Sequence, residues 1–526
     1  MPRIQMRTLL LAALASGVLA LNVPIPLVAA PAVPTVSPSL ISFSIEMDRW
    51  TDWVGTTARN QFFYNTLDNL KQLTGAPPFI RVGANSEDHT NFQQDTTFAQ
   101  AIFPPPTATV PYPEATNITV GNSYYATTRF LPPNTHVTWG VNLGANNITA
   151  AFLQTRSIIK AFASPEFTSA GIVLDYLEIG NEPDLYKNNG LRPSTYTSTQ
   201  WVQDWISFAK NISATAGLSA SSHTKFLGAS FAGSSHTTTG FSPQAAFRAG
   251  LLESEPGRLI SAISQHRYSG SFCTGNGGLL QDLMTKSTIR GNLTVFTPDI
   301  AATHAQGLDY ILGETNSYSC HGAPGVSNTA GAALWTLDYA LFATQLGISS
   351  VFFHVGIGFK YSLIQPTVLT RSTLDGSPLS SPLPPHVQPQ YYAAIVAAEG
   401  LGNTGRAQVQ ELFVDHPQVA GYGFYEDNHL VRAVLINSKA YLTKANLRTS
   451  VHLDLSFSGS GENIPVMMVV KRLAINLATD VSGLTWGGQT YETSDGRVTG
   501  SLKVDNIKVT AGVDIMETEA ILLEFH

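Results

Sequence analysis

The sequence predicts an α/β protein, a (β/α)8 TIM barrel followed by a C-terminal β-sandwich, and three observations carry that prediction. Short apolar runs alternate with segments of helical character up to about residue 400, the pattern of parallel strands covered by crossover helices. Eight such runs can be counted, the number that closes a barrel. Past about residue 404 the pattern changes to short alternating stretches punctuated by Asn, Gly and Ser, as in Val431-Arg432-Ala433-Val434-Leu435-Ile436 and Ala520-Ile521-Leu522-Leu523-Glu524.

Taken in order, residues 1–20 carry Arg3 and Arg7, an apolar run over 9–19 and the small-residue ending Val18-Leu19-Ala20, which reads as a cleaved secretory signal. Ala29-Ala30 offers a cleavage point as late as residue 30. The apolar run is too short to span a bilayer. A Pro-rich leader (24–38) precedes a barrel domain over 38–400, with strands expected at 40–46, 79–83, 136–143, 173–180, 225–230, 262–268, 310–314 and 350–355. Helices are expected at 58–73, 150–162, 199–213 and 329–346, where apolar residues recur every three or four positions, as Trp201, Trp205 and Phe208 do. Residues 87–133, rich in Thr, Pro and Asn with little periodicity, read as an elaborate loop at one barrel mouth. A β-sandwich is expected over 401–526.

Composition narrows the classes further. A chain of 526 residues with 43% hydrophobic and 13% charged residues has enough apolar surface for a large barrel and a companion domain. Its net charge of −7 disfavours nucleic acid and long polyanions as partners. Sequons at Asn117, Asn147, Asn211 and Asn292 agree with export and place glycans on surface loops. The only two cysteines, Cys273 and Cys320, fit one disulfide in an oxidising compartment, since too few ligands stand nearby for a metal site. His89, His136 and His266 are scattered in the sequence, and no Gly-rich phosphate loop stands out, so no metal and no cofactor is expected.

Two glutamates stand where an apolar strand runs into a polar loop: Glu182, after Leu177-Glu178-Ile179-Gly180-Asn181, and Glu314, after Tyr310-Ile311-Leu312-Gly313. At the ends of the fourth and seventh expected strands, they would face one another across one barrel mouth, where barrels gather reacting groups. A carboxyl pair of this kind is what cleavage of a glycosidic bond requires, one group to protonate the leaving oxygen and the other to attack or to activate water. Pro183 predicts an extended backbone at Glu182. Glu178, further back along its strand, reads as half of a structural ion pair.

The stretch Glu178-Ile179-Gly180-Asn181-Glu182-Pro183-Asp184-Leu185-Tyr186, with Gly313-Glu314-Thr315-Asn316-Ser317, resembles glycoside hydrolase family 79, which contains β-glucuronidases and heparanases. Phe43-Ser44-Ile45-Glu46, Arg81-Val82-Gly83-Ala84-Asn85-Ser86 and Gln265-His266-Arg267-Tyr268 extend the resemblance over most of the mature chain. It implies a retaining clan A barrel with Glu182 as general acid/base and Glu314 as nucleophile, their carboxyl groups ~5 to 5.5 Å apart. Asn181 would hold the sugar 2-hydroxyl. Tyr268 would donate to the nucleophile or a ring hydroxyl, or else pack under the rim. Glu46 would accept from a sugar hydroxyl, or else pair with Arg81. An acid sugar would be recognised by the loop from Tyr318 through His321 and Gly322 to Ala323-Pro324, and by Tyr361, unless that tyrosine packs under the domain junction. In that loop the tyrosine sits one place early, and Cys320 and His321 replace two usual glycines. The resemblance also implies that the sandwich takes in a few residues from the start of the mature chain.

The expectation is therefore a secreted, monomeric, exo-acting β-glucuronidase removing terminal glucuronic acid or its 4-O-methyl form from glycans, with no nucleic acid or membrane partner. The competing expectations are a heparanase-like endo-enzyme, which would need a basic cleft where Glu87, Asp88 and Glu114 stand, another retaining exoglycosidase acting on xylosides or arabinofuranosides, and a non-catalytic carbohydrate-binding protein.

Overall fold

The computed structural model describes residues 20–459 and 463–526, so the expected signal over 1–20 lies, but for its last residue, outside the described residues. Eight strands close a parallel barrel: β1 (Ile41–Glu46), β2 (Ile80–Gly83), β3 (His136–Val141), β4 (Val173–Ile179), β5 (Lys225–Phe231), β6 (Ile260–Ser271), β7 (Asp309–Ser319) and β8 (Val351–Val355). They coincide with the eight apolar runs read from the sequence. A strand covered on both faces has no polar side to show, so its sequence reads as a continuous apolar run. β1, β2 and β8 are buried along their whole length.

The covering helices start and stop where side chains dictate. Gln61–Thr74 begins at Asn60, whose side chain accepts from the Phe63 N–H, and ends at Gly75 in the left-handed region. Ser198–Ala216 opens with a reciprocal capping box between Thr197 and Gln200. Its Trp201 and Trp205 lie fully under the surface against Phe231 and Phe226 of β5.

Residues 87–133 are more ordered than their composition predicts. Thr90–Phe92, Asn117–Val120 and Ala99–Ile102 form a three-stranded sheet, followed by the short helix Asn122–Ala126. Tyr124 and Tyr125 from that helix pack edge-on against Trp139 of β3. That packing ties the excursion to the barrel.

Beyond Pro389–Leu401 the chain builds two facing sheets. One has seven strands, including Ala407–Glu411, Val419–Glu426, His429–Asn437, Met467–Ala474 and Glu519–Phe525. The other is three-stranded, with Ser450–Ser458 between Val513–Met516 and the N-terminal strand Leu21–Pro26. Val23 and Ile25 of that N-terminal strand are fully buried against Leu435, Val470 and Ile521, the sandwich core. Arg290 bridges the domains, reaching Asp338 on the barrel and Glu411 and Tyr422 on the sandwich. No helix among the described residues is long and apolar enough to cross a membrane.

Candidate active site

Glu182 follows the C-terminal end of β4 and Glu314 is the middle residue of β7, and their carboxyl groups come together at the barrel mouth. One carboxylate oxygen from each and a ring nitrogen of His266 all lie within 4.8 Å of one another. The site is assembled from six strand ends.

Arg81 of β2 is its hub. Fully buried, it holds Glu178 in a two-point pair (Nε–Oε2 2.6 Å, Nη2–Oε1 2.8 Å) and donates to Glu314 Oε2 at 2.8 Å and to Asn181 Oδ1 at 2.7 Å. Glu178 thus takes the structural pairing expected of it. With its oxygen committed to Arg81, Asn181 presents its amide N–H2 to the pocket.

Glu314 sits among donors. Beyond Arg81, Tyr268 donates to Oε1 at 2.8 Å, and His354 Nδ1 and His266 Nδ1 approach Oε2 at 3.9 and 4.0 Å. Burial works against its charge, but His354, His266, Arg81 and the Tyr268 hydroxyl together outweigh it and hold the carboxyl well below the usual range. Glu182 has one such neighbour, His266 Nδ1 at 3.0 Å from Oε1. There burial, with help from Glu314 and Asp184, prevails over His266 and raises the carboxyl pKa above its ordinary 4.5.

The backbone at Glu182 corrects the sequence reading. It is not extended but left-handed, with φ 48° and ψ 51°. Pro183 closes the right-handed region to the residue before it, and two bonds stabilise the compact alternative. The Glu182 N–H donates to the Ser230 carbonyl at 2.9 Å, and the Leu185 N–H donates to the Glu182 carbonyl at 2.8 Å. Strain of this kind persists only where the surroundings fix it. Gly180 contributes too: a Cβ there would lie 2.4 Å from the Tyr186 hydroxyl, which donates to Asp88. Asp88 in turn accepts from the Asn181, Leu143 and Gly144 N–H groups, pinning the motif from above.

The remaining expected residues divide. Tyr268 and Tyr361 stand beside one another, ring centroids 6.0 Å apart, with Tyr361 the same distance from His354. Glu46 reaches the pocket, but it does not pair with Arg81: it accepts from the Ser86 N–H and hydroxyl and faces His354 Nε2 at 3.4 Å. Tyr318 does not join the carboxylates, because its ring lies against Gly270 and Gly278, which leave room for it by lacking a Cβ. His321 donates to Glu114 Oε1 at 2.7 Å and stacks on Phe359 at 3.7 Å between centroids. Cys320, His321 and Gly322 all have positive φ, 58°, 69° and 90°, a run that favours glycine. Here the Cys273–Cys320 disulfide and the His321 contacts hold the loop in that shape.

Several residues were missed or misplaced by sequence reasoning. His266 and His354 link the two glutamates to their neighbours, although His266 reads as one of several scattered histidines. Glu87 and Asp88 are fully buried rather than lining an open mouth. Glu114 answers His321 directly, so it is not an unmatched acid. Among the sequons, Asn117 opens a strand and Asn147 caps a helix, both exposed, whereas Asn211, half-buried within the helix Ser198–Ala216, and Asn292 are not presented on surface loops. Asn292 is buried in a helix with its side chain accepting from Arg267 and donating to the Thr288 carbonyl.

Comparison with known proteins agrees with this architecture. Residues 421–522 match the model of the glycosyl hydrolase family 79 C-terminal beta domain. The chain is 27% identical to a β-glucuronidase of Aspergillus niger over 514 residues, covering 94% of this chain and 90% of that protein. It is 28% identical to a β-glucuronidase of Neurospora crassa, covering 86% and 84%. Among solved structures, a 4-O-α-L-rhamnosyl-β-D-glucuronidase of Fusarium oxysporum superposes with a TM-score of 0.76 at 22% identity, covering 96% of this chain and all of that one. A family 51 α-L-arabinofuranosidase of Bifidobacterium longum shares the fold at 0.57 and 15%, covering 96% of this chain and 99% of that one. Barrel, paired carboxylates, C-terminal domain and relatives matched over most of their length agree, and the chain is a glycoside hydrolase similar to those of family 79.

Proposed function

We propose that the protein is a secreted, retaining, exo-acting β-glucuronidase that releases terminal glucuronic acid, or its 4-O-methyl form, by double displacement. The observation that carries the reading is the close approach of two carboxyls whose surroundings push their pKa values in opposite directions. Glu314, kept ionised, attacks the anomeric carbon, while Glu182, kept protonated, gives its proton to the leaving oxygen. Once Glu314 is esterified its charge is gone, and Glu182 can take a proton from water and direct it at the same carbon. The Asn181 amide donates to the sugar 2-hydroxyl. A spacing within 4.8 Å between carboxylate oxygens favours direct attack over the wider, water-holding arrangement of inverting enzymes.

The glucuronide preference is supported by the two β-glucuronidase relatives, and Tyr361 stands beside Tyr268 and His354 at the site. Export is supported by the exposed sequons and the disulfide. A second reading, a retaining exoglycosidase for a neutral sugar such as a xyloside or arabinofuranoside, is favoured by one observation. Glu114 places a carboxylate on His321, in the loop that should receive an acid sugar. Turnover of 4-nitrophenyl β-glucuronide, β-xyloside and α-arabinofuranoside separates the two. Faster hydrolysis of a neutral glycoside than of the glucuronide overturns the first.

A further inference from the structure

The opposite end of the barrel holds a group of ligands that the hydrolytic reaction does not use. His136 opens β3, Asp175 stands early in β4, and His223 lies two residues before β5, so three consecutive strands deliver them to the N-terminal face. His136 Nδ1 is 2.9 Å from each Asp175 oxygen, and His223 Nε2 is 2.8 Å from Oδ1. The three ligand atoms all lie within 4.8 Å of one another. Sequence separations of 39 and 48 residues hide the group from any linear motif.

We propose that His136, Asp175 and His223 form a binding site for a divalent transition metal, zinc being the ion it fits best. Two imidazoles and one carboxylate are a borderline-soft donor set suited to zinc and poorly suited to magnesium or calcium. The backbone is shaped for the purpose. In the β3–β4 ladder Val137 pairs with Leu174 and Thr138 with Tyr176, so Asp175 is an extra, bulged residue, and a bulge re-aims its side chain out of the ladder. A cavity of about 400 Å³, walled by Phe79, Tyr176, Ile311 and Phe352, opens beside the three ligands and leaves room for a water at the fourth position.

Bonds of ~2.0 to 2.2 Å to a tetrahedral zinc set its donors about 3.3 Å apart. The present 2.8 to 2.9 Å separations therefore need to open by roughly half an ångström. His223 and His136, with 63% and 37% of their side chains exposed, can supply that movement. Binding exchanges the two hydrogen bonds to Asp175 for two nitrogen–metal bonds, with the ring protons carried on His136 Nε2 and His223 Nδ1.

Titration calorimetry of the demetallated full chain with zinc chloride tests the site, with magnesium chloride as control. Glu182, His266 and Glu314 are a second cluster within bonding reach of a metal, so Glu182→Gln is titrated in parallel. The site predicts one zinc equivalent in the wild type, no magnesium binding, affinity at least ~10-fold weaker in His223→Ala and in Asp175→Asn, and no loss in Glu182→Gln. His223→Ala changes only an exposed side chain, so it reports even if the aspartate variant fails to fold, and it should hydrolyse nitrophenyl glycoside at the wild-type rate. Absence of zinc binding in the wild type, equal affinity in His223→Ala, or loss of binding in Glu182→Gln instead would each overturn the assignment.

Discussion

The two walls of the catalytic pocket present the same side chain in opposite company. On the β7 wall Glu314 accepts from a guanidinium and a phenol, and two imidazoles stand about 4 Å from its Oε2. On the β4 wall Glu182 stands on a left-handed backbone with one imidazole beside it. Glu314 is buried and Glu182 half-buried, so loss of solvent alone would raise both carboxyl pKa values. What separates them is the supply of positive charge and donors, which pulls Glu314 down and leaves Glu182 up. One residue type is thereby suited to the proposed anionic nucleophile on one wall and to the proposed proton donor on the other.

Removing each carboxyl breaks the comparison most directly. Glu314→Ala should lose on the order of 10^4-fold or more in kcat, because no other group can take its place at the anomeric carbon. Glu182→Ala should lose about 10²- to 10⁴-fold, less with an activated leaving group that needs no proton. Azide tells the walls apart by stereochemistry. In Glu314→Ala it replaces the nucleophile and gives the glycosyl azide of inverted configuration, whereas in Glu182→Ala it intercepts the glycosyl-enzyme and gives the retained one. The opposite pairing of products would exchange the two roles.

The pH profile sharpens the same contrast. The proposed mechanism requires Glu314 ionised and Glu182 protonated, so kcat/KM should hold on the acid side to well below pH 4.5 and fall as pH rises through the raised value of Glu182. The two limbs belong to the coupled pair rather than to either residue alone. Glu182→Gln should erase the alkaline limb, and a limb that survives would have to be assigned elsewhere. A smaller change is expected of Tyr268→Phe, which removes one donor from Glu314. Loss of a hydrogen bond to a charged group costs about 1.5 kcal/mol or more, or ~10-fold in kcat/KM. It should also move the acid limb upward, an effect that a merely structural tyrosine would not have.

How much of this was legible depends on whether the information is local. All eight barrel strands could be read, because burial on both faces leaves an apolar run that needs no partner to be recognised. Glu182 and Glu314 could be read because each sits in a distinctive stretch at a strand end. What tunes them could not. Arg81, His266 and His354 come from three other strands, and nothing near them in sequence marks them as meeting at Glu314. Asp88 looks like a solvated loop acid, yet it is satisfied by N–H groups 55 and 93 residues away and by a tyrosine 98 away. At Glu182 a local rule misled: it excludes the right-handed backbone before proline, but the Ser230 carbonyl, supplied by another strand, decides which alternative is taken.

The smallest expected effect, opposite in sign to the others, comes from Glu87. Its carboxyl lies against Gly83 and Gly140, where a Cβ would come within 2.3 and 2.0 Å of Oε2, and neither oxygen has a hydrogen-bond partner among the described residues. Burial first, then the charge of Glu178, pushes its pKa well above the ordinary 4.5. Arg81 already faces Glu178 and Glu314, so a neutral Glu87 leaves its full charge to those two. Below pH 4.5 folded and unfolded chains both carry Glu87 protonated, and Glu87→Gln should match the wild type. As pH rises the unfolded chain ionises while the fold resists, so the wild type loses stability that the glutamine variant keeps. Thermal unfolding of both proteins at pH 4 and pH 7 should therefore show a gain for Glu87→Gln only at the higher pH, with hydrolysis changed by less than about twofold. An equal difference at both pH values would mean that Glu87 is ionised in the fold and competes with Glu314 for Arg81.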